Sequence, residues 1–159
     1  MKNAISAVLF AATMAMGSIA IASGADSDPI FGTWKLNVQK SVFGGIPAVT
    51  SQVRTYSPSP HGFTLKIKTV SAEGKETTTA TTYQLDHKDH PSMGNPDFDS
   101  LAGTQIDANT AEFDLKKSGK PVGKIRRSVS KDGKTLTINY VLTKADGVQS
   151  SALTVFDKQ

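Results

Sequence analysis

The 159-residue chain contains no cysteine. Disulfides, thiolate metal sites, cysteine nucleophiles and the lipid-bearing cysteine of a bacterial lipoprotein are therefore excluded. Aromatic residues make up only 7% of the chain, and the single tryptophan is Trp34. A small domain without disulfides depends on its packed core, or on a sheet that closes on itself, for stability.

Long apolar runs are missing beyond the first 25 residues. Residues 4–22 form the one such run; it follows Lys2 and precedes the small residues Ser23-Gly24-Ala25. This three-part pattern predicts a cleavable signal peptide over residues 1–25, with cleavage after Ala22 and a retained membrane anchor as the alternatives. We therefore expect an exported protein, periplasmic or secreted, whose mature form has no permanent membrane span.

Apolar residues alternate with polar ones through residues 26–159, which we expect to form one domain, and no helical period is convincing there. Turns such as Asp132-Gly133 and Asp146-Gly147 separate the alternating segments. The predicted strands cover residues 31–37, 51–57, 63–68, 76–85, 99–106, 111–116, 121–130, 135–143 and 148–157. The spacing predicts an all-β, antiparallel up-and-down meander of about 8–10 strands that closes into a barrel, with a two-sheet sandwich as the alternative.

Two connections are longer than the turns. Residues 39–50 are interpreted as a lid over one barrel end or as an Ω-loop, and residues 87–97, which contain two prolines, as a wide turn. The second contains His87-Lys88-Asp89-His90, whose two imidazoles and one carboxylate are too few for a metal site. No nucleophile elbow or buried acid pair is evident in the sequence. We therefore predict no metal, no cofactor and no enzymatic activity.

Strand parity selects the side chains that face the barrel interior. The predicted lining residues are Trp34, Leu36, Phe63, Leu65, Ile67, Tyr83, Phe113, Leu115, Ile125, Arg127, Leu136, Ile138 and Tyr140. Arg127 is unusual among them, because a buried arginine is costly unless it is paired or stacked. Three interpretations stay open: Arg127 stacks on Trp34, it meets an anionic ligand group, or a bulge at Gly123 reverses the parity and leaves Arg127 in water.

Basic residues are concentrated between positions 116 and 134, where eight lysines and arginines are opposed only by Asp132. A solvated strand face is the simplest interpretation, and weak contact with an anionic surface is the alternative. Because export is expected, nucleic acid is not a predicted partner.

The residues around the tryptophan resemble a known family. Residues 28–37 read Asp-Pro-Ile-Phe-Gly-Thr-Trp-Lys-Leu-Asn, which resembles the opening signature of the lipocalin and fatty-acid-binding (calycin) superfamily. The resemblance implies a lipocalin-like barrel in which Trp34 plugs the closed end and Gly32 leaves room for the entering chain. Further features are similar to those of small exported bacterial lipocalin-like proteins of unassigned function, and they lie at residues 94–96, 106–110 and 129–137.

The chain also departs from its relatives. Intracellular fatty-acid-binding proteins hold a carboxylate through Arg-x-Tyr on the last strand, and the matching positions here are Thr154 and Phe156. Their helical cap does not fit between Asn37 and Gln52. The resemblance therefore implies a ligand-binding barrel without implying the ligand.

Two functions are consistent with the sequence. The first is binding of a small hydrophobic or amphipathic ligand inside the barrel, which can hold one such molecule. The second is a ligand-free structural or interaction role in the cell envelope, with the barrel filled by its own side chains. The bulky inward residues favour filling, whereas the small polar run at residues 77–82 favours a cavity.

Overall fold

The structure is a computed structural model that describes residues 28–45, 47–93, 95–144 and 146–159. The predicted signal peptide lies outside these residues. Within the described part the protein has ten strands and one short 3-10 turn at Val38–Lys40, and no helix there is long and apolar enough to cross a membrane. The strands are β1 (Gly32–Leu36), β2 (Val49–Ser59), β3 (Gly62–Ser71), β4 (Glu76–Gln84), β5 (Asp89–Pro91), β6 (Ser100–Asp107), β7 (Thr110–Lys117), β8 (Lys120–Val129), β9 (Thr135–Thr143) and β10 (Gln149–Lys158).

All ten strands belong to one antiparallel sheet, in the order β4-β3-β2-β1-β10-β9-β8-β7-β6-β5. Strands that follow one another in sequence are neighbours, and the first strand also pairs with the last, with Trp34 opposite Lys158. This arrangement confirms the predicted meander and barrel. The sandwich alternative is wrong, because the strands form one sheet rather than two.

The barrel is nearly closed, since its edge strands β4 and β5 are not paired with each other. The two sides meet just after β4, where the His87 N–H donates to the Gly103 carbonyl at 3.0 Å. A Cβ atom on Gly103 would lie 2.5 Å from the Gln84 carbonyl oxygen, so this approach requires glycine. The gap between β4 and β6 is therefore closed just after β4 by this hydrogen bond, while the edge of β4 near Glu76 is exposed.

Both long connections differ from their predicted form. The predicted turn at residues 87–97 contains β5, whose three residues are too short to show alternation and end in Pro91. In the other connection, Val42 bridges to Leu153, and the Gly44 carbonyl accepts from the Ser151 N–H at 2.8 Å. Residues 42–45, called the wall segment below, therefore continue the barrel wall alongside β10 instead of covering the barrel end as a lid.

A packed core occupies the end of the barrel at which the chain enters. Trp34 is fully buried there, and its indole N–H donates to the Ile30 carbonyl at 2.7 Å. The Lys158 ammonium also contacts the indole and lies 4.9 Å from the centre of the Trp34 ring. Phe156 and Leu136 are also completely buried in this core. Trp34 thus contributes a large apolar area to the closed end, as its sequence context implied.

Candidate ligand-binding site

The barrel encloses a cavity of about 440 Å³. Most of its wall is formed by aliphatic and aromatic side chains of the strands. The rest comes from the two long connections, which contribute Phe43, Pro47 and residues 95–98. Small-molecule sites commonly have volumes of about 300–1,000 Å³ and mostly apolar linings with a few polar groups. The side chains of this barrel therefore leave room for a ligand.

Nine of the thirteen predicted lining residues lie on the cavity wall: Leu36, Leu65, Ile67, Tyr83, Phe113, Ile125, Arg127, Ile138 and Tyr140. The other four, Trp34, Phe63, Leu115 and Leu136, are buried in the core. They do not line the cavity and pack instead among other buried side chains. Contact between the nine wall residues and a ligand stays a prediction.

Several wall residues were not identified from the sequence. On β2, Gln52, Arg54 and Tyr56 share one parity and face the cavity. Two of these three are polar, so the alternation did not reveal which face of β2 is inward. Phe98 and Asp97 belong to a connection without periodicity, and no sequence signal places them at the cavity.

Arg127 of β8 is the most deeply buried charged residue on the wall, with its side chain 5% exposed. Its guanidinium carbon lies 4.4 Å from the ring centre of Phe63 and 5.6 and 5.8 Å from those of Tyr56 and Phe113. The burial lowers the pKa of the guanidinium, while Tyr56 and Asp28 act in the opposite direction. Arg127 therefore carries its charge in an aromatic cage, an arrangement favourable to a cation.

This geometry corrects two interpretations of Arg127. It does not stack on Trp34, whose ring is contacted by Lys158 instead. It also does not point into water. The register shift between β7 and β8 pairs Lys116 with Pro121 and Leu115 with Gly123, so the irregularity precedes Gly123 and leaves the parity of the following residues unchanged. Arg127 faces inward, and its contact with an anionic ligand stays a prediction.

Arg54 of β2 supplies a second cation to the wall. Its Nε–H donates to the Gln52 side-chain oxygen at 2.8 Å, and its guanidinium carbon lies 5.0 Å from the ring centre of Phe156. No carboxylate of the described residues lies within salt-bridge distance of Arg54. Burial raises the pKa of nearby Tyr83, and Arg54 partly opposes that shift. The mostly apolar cavity thus has two arginines on its wall, together with the carboxylate of Asp97.

Tyr140 adds a polar group from β9. Burial and the carboxylate of Asp97 together raise the pKa of Tyr140 to about 12. The phenol is consequently protonated at neutral pH and can donate or accept a hydrogen bond inside the cavity.

The basic residues between positions 116 and 134 do not form one continuous patch. Lys124 lies 3.3 Å from Glu112 and 3.2 Å from Asp114 on the outer wall, and Lys116 lies 2.7 Å from Asp89. Other lysines occupy the turns at opposite ends of β8. The contact with an anionic surface stays a prediction, and the paired charges are typical of a solvated face.

Each histidine of the 87–90 segment lies within hydrogen-bond distance of a protein side chain. His90 Nε2 lies 2.8 Å from the Asp86 carboxylate, and His87 Nδ1 lies 2.9 Å from the Thr104 hydroxyl. Asp89 pairs with Lys116. Across the described ranges, no three histidine or acidic side chains are grouped as metal ligands.

No protein-family model and no curated protein sequence matches the chain. Solved structures do match. The zebrafish ileal bile acid-binding protein complexed with cholic acid is 13% identical, with a TM-score of 0.54 over 82% of this chain and 99% of that one. The Schistosoma mansoni fatty acid binding protein in complex with arachidonic acid is 14% identical, with a TM-score of 0.52 over 82% and 96%.

A third match is As-p18, an extracellular fatty acid binding protein, which is 13% identical with a TM-score of 0.53 over 83% of this chain and 97% of that one. At these identities the likeness concerns the fold. The chain, a nearly closed barrel of ten antiparallel strands, thus shares the fold of these proteins.

Proposed function

We propose that this lipocalin-like barrel binds one small hydrophobic or amphipathic molecule in its cavity. The observation that carries the proposal is the 440 Å³ cavity, lined by apolar and aromatic side chains and a few polar groups. The names of the structural neighbours support it, since they describe proteins that bind bile acids or fatty acids. The ligand-free role, which assumed a filled barrel, is less well supported.

We infer binding rather than catalysis. Arg54 and Arg127 are the cations of the wall, and neither histidine nor serine occurs among the described residues that line the cavity. Arginine keeps its proton throughout the physiological range, so it suits anion recognition better than proton transfer. The polar groups of the cavity are thus suited to orienting a bound molecule.

Native mass spectrometry of the protein purified from the cells that make it tests this proposal. We expect a fraction of the protein to carry one additional mass of a small molecule, which is released when the protein is unfolded. Protein that carries no added mass, and that also fails to bind a neutral apolar dye such as Nile red, would contradict ligand binding.

We further propose that the protein acts outside the cytoplasm, on the strength of the sequence pattern in residues 1–25. N-terminal sequencing of the protein from the periplasmic or secreted fraction is expected to begin at Asp26, or at Ser23 if cleavage follows Ala22. Recovery of the chain with Met1 in a membrane fraction would contradict export.

A further inference from the structure

The barrel wall is incomplete between β4 and β5, the two edge strands of the sheet. In the closed half of the barrel, the ring of Tyr83 on β4 reaches across and has its centre 6.1 Å from that of Phe113 on β7. From Thr81 to Thr77, no strand of the described residues pairs with the outer edge of β4. The part of the gap beside Thr77, Thr79 and Thr81 is called the side opening below.

Thr77 and Thr79 are on the inner face of β4. Thr79 pairs directly with Ile67, a residue of the cavity wall, and opposite residues of an antiparallel pair share one face of the sheet. Thr77 pairs in the same way with Thr69, whose hydroxyl lies 3.1 Å from the side-chain nitrogen of Gln52 on the cavity wall. The inner face of β3 therefore continues onto β4 at these two positions.

These two inward threonines are nevertheless exposed to solvent. The structure describes all of β4, and Tyr83 is the one residue of this strand that lies on the cavity wall. The solvent at Thr77 and Thr79 is thus outside the cavity, and it reaches their inner face through the side opening. On this side the cavity wall ends at Ile67, so the cavity adjoins open solvent along β4.

β5 forms the opposite rim of the side opening. His90 pairs with Leu101, which is buried and lines the cavity, so the imidazole is also on the inner face. Its Nε2 atom lies 2.8 Å from the Asp86 carboxylate. Pro91 ends the strand after three residues and has no N–H group to donate. Because a short edge strand with a proline resists further pairing, the sequence of β5 keeps the side opening free of strand hydrogen bonds.

The barrel end opposite the packed core is covered by the long connections. Phe43 and Phe98 contribute to the cavity wall there, and Phe98 is buried. The Asp99 carboxylate accepts from the Ser118 N–H at 2.9 Å, and the Asp99 N–H donates to the Lys116 carbonyl at 2.9 Å. These bonds fix the connection before β6 against the end of β7. Passage through this end requires displacement of a buried aromatic side chain, whereas the side opening already reaches solvent.

We propose that the ligand enters and leaves the cavity through the side opening. This inference rests on the proposed function, since it concerns the route to the same cavity. Each inward threonine carries a methyl group and a hydroxyl, so the rim can contact both parts of an amphipathic molecule. An obstruction on a route differs from the loss of a binding contact. It slows association and dissociation by the same factor and leaves the dissociation constant unchanged, because the free and bound states are not altered.

The test places a removable obstruction in the side opening. The chain contains no cysteine, so Thr79→Cys provides a single thiol; its thiolate attacks oxidised glutathione, forms a mixed disulfide and releases one glutathione thiolate. The attached tripeptide is polar and bulky, so it stays in the opening rather than in the apolar cavity. We expect both rate constants for Nile red, measured by stopped-flow fluorescence, to fall at least about fivefold while the dissociation constant changes less than about twofold. Reduction of the disulfide should restore both rates.

Thr78→Cys is the matched control, because Thr78 is also exposed on the same strand but its side chain is on the outer face. Its glutathione adduct should leave both rate constants within about twofold of those of the reduced protein. Thr77→Cys is a second position on the inner face, and it decides the result if Thr79→Cys does not fold. Far-UV circular dichroism verifies the folding of each variant.

Unchanged rate constants in the folded inner-face adducts would overturn the side opening as the route. Equal slowing in the Thr78→Cys adduct, or slower association with unchanged dissociation, would overturn it as well. Slowing only in an adduct of Pro96→Cys, on the connection at the covered end, would assign the route to that end. In each case the proposed function would stand, because Nile red would still bind. Failure of Nile red to bind the wild type would contradict the proposed function itself.

Discussion

Trp34→Ala is expected to lower the free energy of unfolding by about 3–5 kcal/mol, the usual range for truncation of a fully buried large aromatic residue. The indole is completely buried at the closed end of the barrel. Its removal eliminates the hydrogen bond to the Ile30 carbonyl and the contact with Lys158, and it leaves a cavity beside Phe156. Because small domains are stable by only about 5–15 kcal/mol, the variant should be close to the limit of folding.

Urea unfolding followed by far-UV circular dichroism measures this loss, since the substitution removes the only tryptophan fluorophore. Trp34→Phe keeps most of the apolar area and should lose less than Trp34→Ala. Val42→Ala is the matched surface control, because Val42 is 62% exposed on the wall segment, and its effect should be within about 0.5 kcal/mol. A loss below about 1 kcal/mol for Trp34→Ala would mean that Trp34 is not the plug of the closed end.

The predictable part of the fold is the part with alternating side chains. Every second residue is apolar over residues 63–67 of β3, 111–115 of β7 and 136–142 of β9, so strand positions and facing could be read directly from the sequence there. Parity also placed Arg127 on the inner face, since the irregularity near Gly123 falls before the segment that contains it. Turn residues such as Asp132-Gly133 then specified the meander.

Alternation reveals the face of a strand but not the depth of a residue along the barrel axis. Leu115 and Leu136 therefore could not be separated from wall residues such as Ile125, although the first two pack in the core and the third lines the cavity. The charge environment of Arg127 was also beyond prediction, because Asp28 approaches it from a turn 99 positions away in sequence. Contacts of that kind depend on closure of the sheet.

The pairing of the wall segment and of β5 with neighbouring strands was not predicted, because both segments are short. The wall segment is a short bridged stretch after a 3-10 turn, and β5 has three residues. Neither is long enough to establish a period of two. Both are held mainly by pairing with distant strands, β10 and β6 respectively.

Ala152→Trp is expected to abolish most ligand binding while leaving the barrel folded. Ala152 lies on the inner face of β10 and lines the cavity, so an indole at this position occupies space that a ligand would use. We expect the affinity for Nile red to fall at least about tenfold, equivalent to a loss of about 1.4 kcal/mol of binding free energy. The cost in stability should stay within about 1–3 kcal/mol, because the new side chain enters a cavity rather than a packed core.

The neighbouring residue provides the control. Leu153 belongs to the same strand, but its side chain points outward and is 39% exposed opposite Val42. Leu153→Trp introduces the same side chain at the adjacent position without entering the cavity. It should leave the dissociation constant for Nile red within about twofold of the wild-type value, since nothing in the site changes.

Nile red titration of Ala152→Trp, Leu153→Trp and the wild type, with folding verified by far-UV circular dichroism, tests most directly whether the barrel interior is the binding site. Binding at one site per chain that is lost in Ala152→Trp and kept in Leu153→Trp is the expected result. Equal affinity in all three folded proteins would place the dye on the outside of the barrel and would contradict a ligand-binding interior.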